Sequence, residues 1–290
     1  MEIKDVNTIF ILGIARSGSK FYTQLLNSHQ NICIAPELNY HFPIKKDLRD
    51  IVVAHKSKGL LYIIDQIFKS ELKNTITDVL NVIKKKKMED EVRNIKNFNS
   101  YFLLKIILKL FSYEKGKKIY GAKYPVHFSN FDLLENNFFN AKFIFIIRNP
   151  FEIARSDIIK KARRIKKKKS TFIINNLFIF YLVYPFYLSF EWFRLVRTFE
   201  VKLKKLGHEK ILLCRYEEIK NNSYDLLNKI AVFINQDSKS FDLNKVKQVD
   251  SSRNHNNFIS PIVYKYMNFV ISVLIKNKLK QYNYINSKVK

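Results

Sequence analysis

Two stretches of this chain gather residues suited to holding an anion. Residues 9–28 read IFILGIARSGSKFYTQLLNS: an apolar run ends at Gly13, a small basic loop carries Arg16, Ser17, Gly18, Ser19 and Lys20, and a helical pattern begins at once. A helix start leaves backbone N–H groups without acceptors, and its dipole favours negative charge there. Gly13 and Gly18 permit a tight backbone path, Ser17 and Ser19 offer hydroxyls, and Arg16 and Lys20 add cations. Further along, AKFIFIIRNPFEIARSDIIKK (141–161) repeats the plan. Arg148 stands at the end of an apolar run and Pro150 at a good first helical position. Ser156 falls one residue short of two helical turns past Asn149, so it can face back toward Arg148. A guanidinium and a hydroxyl converging on one point suit a phosphate dianion.

Strands and helices must position these groups. Short runs apolar on both faces occur at 8–13, 31–35, 117–123, 142–147 and 210–216. Helical stretches lie at about 18–28, 59–112 in pieces, 128–138, 150–165, 173–206 and 222–235. This alternation predicts an α/β fold, a doubly wound parallel sheet of about five strands flanked by helices, with its site at the carboxyl ends of the strands. The expected organisation is one domain over 1–290, with a helical insert at about 45–115 and a C-terminal amphipathic helix at about 260–280.

Composition narrows the class. The 290 residues carry a net charge of +27, with six Gly, six Pro and two Cys. The excess of Lys, Asn and Ile fits an AT-rich coding background. It equally fits an anionic ligand, an acidic acceptor, nucleic acid or an anionic membrane surface. Cys33 and Cys214 both lie in apolar runs, which points to a reducing compartment rather than a disulfide framework, and no Cys/His spacing suggests zinc. The polar, acidic start MEIKDVN has no cleavable-signal pattern, so a cytoplasmic protein is expected. The stretch 171–193, TFIINNLFIFYLVYPFYLSFEWF, is long enough to span a bilayer and follows a basic block (160–169). Its Asn175, Asn176, Pro185 and Glu191 favour a buried core helix, with interfacial membrane contact as the next reading.

The first loop has the glycine separation of the nucleotide triphosphatase loop G-x-x-x-x-G-K-[ST]. However, Lys20 comes one residue late, and Phe21 stands where a hydroxyl would hold magnesium. The pattern G-x-x-R-S-G-[ST], followed by a Leu-rich helix and NSHQNICIAPE, instead resembles the 5′-phosphosulfate loop of sulfotransferases that use 3′-phosphoadenosine 5′-phosphosulfate (PAPS), especially the carbohydrate and tyrosylprotein type. The second stretch is similar to that family's 3′-phosphate motif R-[DN]-P-x-[DE]-x-x-x-S. GAKYPVH (121–127) and LLCRYEEIKNNSYDLLNKIAVFI (212–234) resemble further family segments in the same order. The resemblance covers roughly 8–40 and 117–235.

It implies a P-loop-like fold and sulfuryl transfer from PAPS to an acceptor hydroxyl, with no metal. Arg16, Ser17, Gly18, Ser19, Lys20 and Phe21 would cradle the phosphosulfate, while Arg148 and Ser156 would bind the 3′-phosphate. Tyr216 would contact the nucleotide, and Lys123, with Arg16, would stabilise the leaving phosphate. Glu37 would be the general base, with His41 as a rival and His127 a weaker one. Ser251, Ser252 and Arg253 are candidates for closing over the adenosine, and Glu217 for pairing with a basic neighbour. The acceptor implied is a carbohydrate, glycolipid or surface-polymer precursor. Apart from the resemblance, the aromatic and basic helices suggest peripheral contact with an anionic membrane, and a nucleic-acid partner is not expected. Two alternatives stay open: a nucleotide kinase or ATPase with a degenerate phosphate loop, and a non-enzymatic basic protein binding nucleic acid or membrane.

Overall fold

The computed structural model describes residues 8–36, 53, 55–69, 79–93, 95, 98–124, 127–168, 171–221, 223–246 and 260–285. Five strands form one sheet: β1 Ile9–Gly13, β2 Ile32–Ala35, β3 Ile119–Tyr124, β4 Lys142–Ile147 and β5 Ile211–Arg215. Their spatial order is β2-β3-β1-β4-β5, with every neighbouring pair parallel. All five strands lie within a residue or two of the runs read from the sequence.

The strands are apolar on both faces because both faces are covered. Ile9, Ile11, Ile32, Ile34, Ile144 and Ile146 point into a core with α1 (Ser19–Ser28) and α8 (Ser223–Phe233). Phe10, Leu12, Cys33, Phe143, Phe145 and Ile147 point the other way. There they meet α2 (Leu60–Lys69), α3 (Lys85–Val92), α4 (Ser100–Glu114), α5 (Phe131–Asn137) and α7 (Thr171–Leu206). Aromatic rings fill this second layer: Phe10 stacks on Phe143 at 5.7 Å, and Phe131 lies 4.3 Å from Phe143. Helix α6 (Pro150–Lys168) packs against α7, and α9 (Pro261–Leu274) packs against both, followed by α10 (Lys276–Gln281).

The expectation of a buried core helix at 171–193 holds for one face of α7 only. Tyr184, Leu188 and Trp192 are buried, whereas Ile179, Leu182, Val183, Phe186, Tyr187 and Phe190 are exposed. Among the described residues, no helix is long and apolar enough to cross a membrane.

Candidate active site at the carboxyl ends of β1 and β4

Strands β1 and β4 are neighbours, with Gly13 opposite Ile146, so the loops that follow them leave the sheet side by side. This is where the strand order reverses direction, the usual ligand crevice of an open parallel sheet. In the first loop, Ser17 N donates to Ile14 O (3.2 Å), and the backbone is left-handed at Arg16 (φ 69°) and again at Gly18 (φ 96°). Gly18 precedes α1 with no side-chain cap, and of the first-turn N–H groups Phe21 N turns back to Gly18 O (2.9 Å), which leaves those of Ser19 and Lys20 for an anion. Gly18 is required for packing as well as for conformation, and Gly13 for packing. A Cβ on Gly18 would stand 2.1 Å from Tyr216 Cδ2, and one on Gly13 would stand 2.8 Å from Ser17 Oγ. Ser17 and Ser19 are buried, Phe21 is half-buried and Lys20 is exposed.

The second loop is built from side chains. Asn149 Oδ1 accepts from Phe151 N (3.0 Å), which starts α6 at Pro150 as its ring geometry favours. Arg148 Nη1 donates to Arg16 O (3.1 Å), and the Arg148 guanidinium lies 4.1 Å over the Tyr216 ring. Its Nη2 is 3.8 Å from Glu152 of the next helical turn. Arg16 in turn reaches across the crevice and donates through Nε (3.0 Å) and Nη2 (2.8 Å) to Ser156 Oγ. The two motifs are therefore joined twice, once through a backbone carbonyl and once through a hydroxyl. Ser156 engages Arg16 where the helical spacing predicted that it would face Arg148. The reason is the adjacency of β1 and β4, which lets the long Arg16 side chain span to the second turn of α6.

Tyr216 follows β5, and its N donates to Ile147 O (2.8 Å). Its ring is buried, packed on Gly18 on one side and under Arg148 on the other. Lys123 is half-buried on β3 opposite Ile11 of β1, one residue before the carboxyl end of its strand. Glu37, His41, Ser251, Ser252 and Arg253, and the side chain of His127, lie outside the described residues. Strand β2 ends two residues before Glu37 in the sequence.

Several supporting residues had no local signal. Trp192 Nε1 donates to Arg148 O (3.0 Å), and the Trp192 ring lies 6.0 Å from both Tyr282 and Tyr284, edge-on to each. Among the described residues Glu217 pairs with no cation, contrary to expectation: Oε1 accepts from Asn149 N (2.8 Å) and Oε2 from the Tyr284 hydroxyl (3.2 Å). Both donors are fixed by tertiary packing, which brings the C-terminal segment against the loop after β5. Burial, reinforced by the Glu217 charge, pushes the Tyr284 hydroxyl well up, so it remains protonated and donates. Burial likewise raises the Tyr184 hydroxyl, with Asp157 adding to the effect. Cys214 is pushed up to about 12 by burial and cannot act as a thiolate.

Among the described residues, two buried polar atoms of this crevice find no hydrogen-bond partner: Ser17 Oγ and Arg148 Nε. A buried donor left unpaired is costly. Together with an uncapped helix start and the Arg16 and Arg148 guanidinia, these atoms describe a receptor for an anion bearing several oxygens. The sulfotransferase family model matches residues 8–239, which takes in both loops. The chain belongs to the sulfotransferase family.

Solved sulfotransferases share its fold. The sulfotransferase domain of the Synechococcus PCC 7002 olefin synthase is 18% identical with a TM-score of 0.50, and each chain is covered to 94%. Sulfotransferase STF9 of Mycobacterium avium is 12% identical with a TM-score of 0.53, over 96% of this chain and 77% of that one. A sulfotransferase from Alicyclobacillus acidocaldarius is 13% identical with a TM-score of 0.50, and each chain is covered to 95%. No curated protein matches the sequence. This sulfotransferase is thus an enzyme of sulfuryl transfer.

Proposed function

We propose that this sulfotransferase transfers the sulfuryl group of PAPS, in line, to a hydroxyl of a carbohydrate, glycolipid or surface-polymer precursor. The observation that carries the reading is the double junction of the two anion loops: Arg16 on Ser156, and Arg148 on the Arg16 carbonyl. One doubly phosphorylated nucleotide can touch both loops only if they adjoin. When bound, the donor supplies the sulfuryl group and leaves as adenosine 3′,5′-bisphosphate (PAP).

The chain's own residues divide the work. The N–H groups of Gly18, Ser19 and Lys20, the Ser17 and Ser19 hydroxyls and the Lys20 ammonium hold the 5′-phosphosulfate, with the Phe21 N–H turned back to the Gly18 carbonyl. Arg148, through the Nε that has no partner among the described residues, and Ser156 hold the 3′-phosphate. Tyr216 fixes the plane of the Arg148 guanidinium beside the nucleotide. Lys123 and Arg16 stabilise charge that develops on the bridging oxygen. Glu37 removes the acceptor proton as the bond to sulfur forms. Little covalent work is asked of the protein, so positioning and charge do most of the catalysis.

The proposed setting is a single sulfotransferase domain with residues 45–115 as a helical insert over the site. It acts in a cytoplasmic, reducing compartment, where the free, buried Cys33 and Cys214 are at ease, and it meets its acceptor at an anionic membrane.

The test is Glu37→Gln assayed with radiolabelled PAPS against extracted glycans and lipids. PAP binding is expected to stay within a factor of about two, while turnover falls by about a hundredfold or more, the range of one general base. Full activity in Glu37→Gln would remove Glu37 as the base. PAP binding that required added magnesium would instead favour a nucleotide kinase.

A further inference from the structure

Helix α7 turns one side to the core and site and the other to solvent. On the inner side, buried Tyr184 interacts with Asp157, the neighbour of Ser156. On the outer side, Ile179 (59% exposed), Leu182, Val183, Phe186, Tyr187 and Phe190 (59%) recur at helical spacing. The adjoining helix α9 exposes Ile262 (76%), Phe269 (69%), Val273 and Leu274. Tyr266, between Ile262 and Phe269, donates its hydroxyl to the carbonyl of Leu182 (3.0 Å), which ties the two helices at the level of the exposed ridge. Contiguous exposed apolar surface of this kind marks an interaction site.

Charge identifies the occupant. Between residues 179 and 190 and between 261 and 274, the sole charged residue is Lys265, which is exposed. The flanks are mainly basic, and Glu191, which follows Phe190, is neutralised by Arg194 (2.8 Å). Lys161 holds its ammonium 3.4 Å over the Phe180 ring, Lys160 precedes it on α6, Arg197 and Lys204 continue the exposed face of α7, and Lys276 follows α9. An apolar ridge with a cationic rim suits the boundary between acyl chains and anionic headgroups. A second copy of a chain with net charge +27 would bring like charge against like.

We infer that the exposed face of α7 and α9 docks this enzyme on an anionic phospholipid bilayer, lying in the interface without crossing it. The inference deepens the membrane-borne acceptor proposed above and rests on that reading. Docking on this face sets the outer side of α7 against the lipid, while its inner side carries Tyr184, which interacts with Asp157 beside Ser156 of the crevice.

The test uses the full chain and sedimentation with vesicles of phosphatidylcholine alone or with about 30% phosphatidylserine, without acceptor or nucleotide. Binding is expected to anionic vesicles and to fall with added salt. The pair Phe190→Glu with Phe269→Glu should weaken it tenfold or more. Val232→Glu, at an exposed apolar site on α8 (75% exposed), should leave it unchanged. Thermal unfolding of the same samples confirms that each variant is folded, and PAP binding is read separately by calorimetry. Four results would overturn the inference: no sedimentation, equal binding to neutral vesicles, undiminished binding of the ridge pair, or a dimer that the ridge pair dissolves. Failure of the unmodified chain to bind PAP would sink the sulfuryl-transfer reading alone, because vesicle binding is read without nucleotide.

Discussion

The two anion loops solve one problem by different means. The loop after β1 is made of backbone: two left-handed residues, an uncapped helix start and two glycines that leave room for Ser17 and Tyr216. Its parts lie within a few residues of one another. The loop after β4 is made of side chains held from afar. Arg148 is held through its carbonyl by Trp192 of α7, Asn149 through its N–H by Glu217 after β5, and Glu217 in turn by Tyr284 near the end of the described chain. Tyr284 lies beyond residues 8–239, the segment matched by the family model. The contrast teaches that an anion site can be specified locally when the backbone supplies the donors. When one flexible guanidinium must be aimed, the whole fold has to hold it.

Substitutions in each region sharpen or break this contrast. The largest effect is expected from Gly18→Ala, because φ is 96° and the new Cβ would collide with the Tyr216 ring. Overpacking of this kind costs on the order of 1–3 kcal/mol. Thermal unfolding should show that loss, and calorimetry should show PAP binding abolished; near-normal binding would mean the loop is not fixed by its backbone.

Arg148→Ala comes next. A charge-assisted contact is worth about 1.5–3 kcal/mol, so PAP should bind roughly tenfold to a hundredfold more weakly, with Arg148→Lys recovering only part because it lacks the planar fork.

Tyr284→Phe is smaller. It removes one hydrogen bond to Glu217, about 0.5–1.5 kcal/mol, while Asn149 N keeps its acceptor. PAP affinity should drop several-fold, with kcat at saturating donor unchanged. An unchanged affinity would show that the second loop does not depend on the C-terminal segment.

The smallest effect concerns the far end of α1, where buried His29 accepts from Asn31 N through Nδ1 (3.0 Å). Burial, then the Lys117 charge, lowers its pKa. The unfolded chain therefore binds the proton more readily, near the ordinary value of about 6.5. The contribution of His29 is complete above that value and is lost as pH falls from there toward the folded-state value. The melting temperature should fall between pH 7 and pH 5, and fall less in His29→Gln. An equal fall would place the acid sensitivity elsewhere.

The sequence by itself determined the five strands, because runs such as 9–13 and 143–147 are apolar on both faces and too short for a core helix, which suits a sheet covered on both sides. It also determined the first loop, since glycine placement and a helix start act over a few residues. The order β2-β3-β1-β4-β5, and with it the meeting of Arg16 and Ser156, came only from tertiary structure. The same holds for the partners of Glu217, which the sequence suggested would be a cation and which are a backbone N–H and a tyrosine hydroxyl. The two exposures of α7 were undecided for a related reason: an apolar helix reads the same whether its outer face meets protein or not, and only the packing of its neighbours leaves Ile179–Phe190 uncovered on one side. Local propensity and patterning are written residue by residue, whereas contacts between distant segments depend on which strands become neighbours, and no short window of sequence contains that.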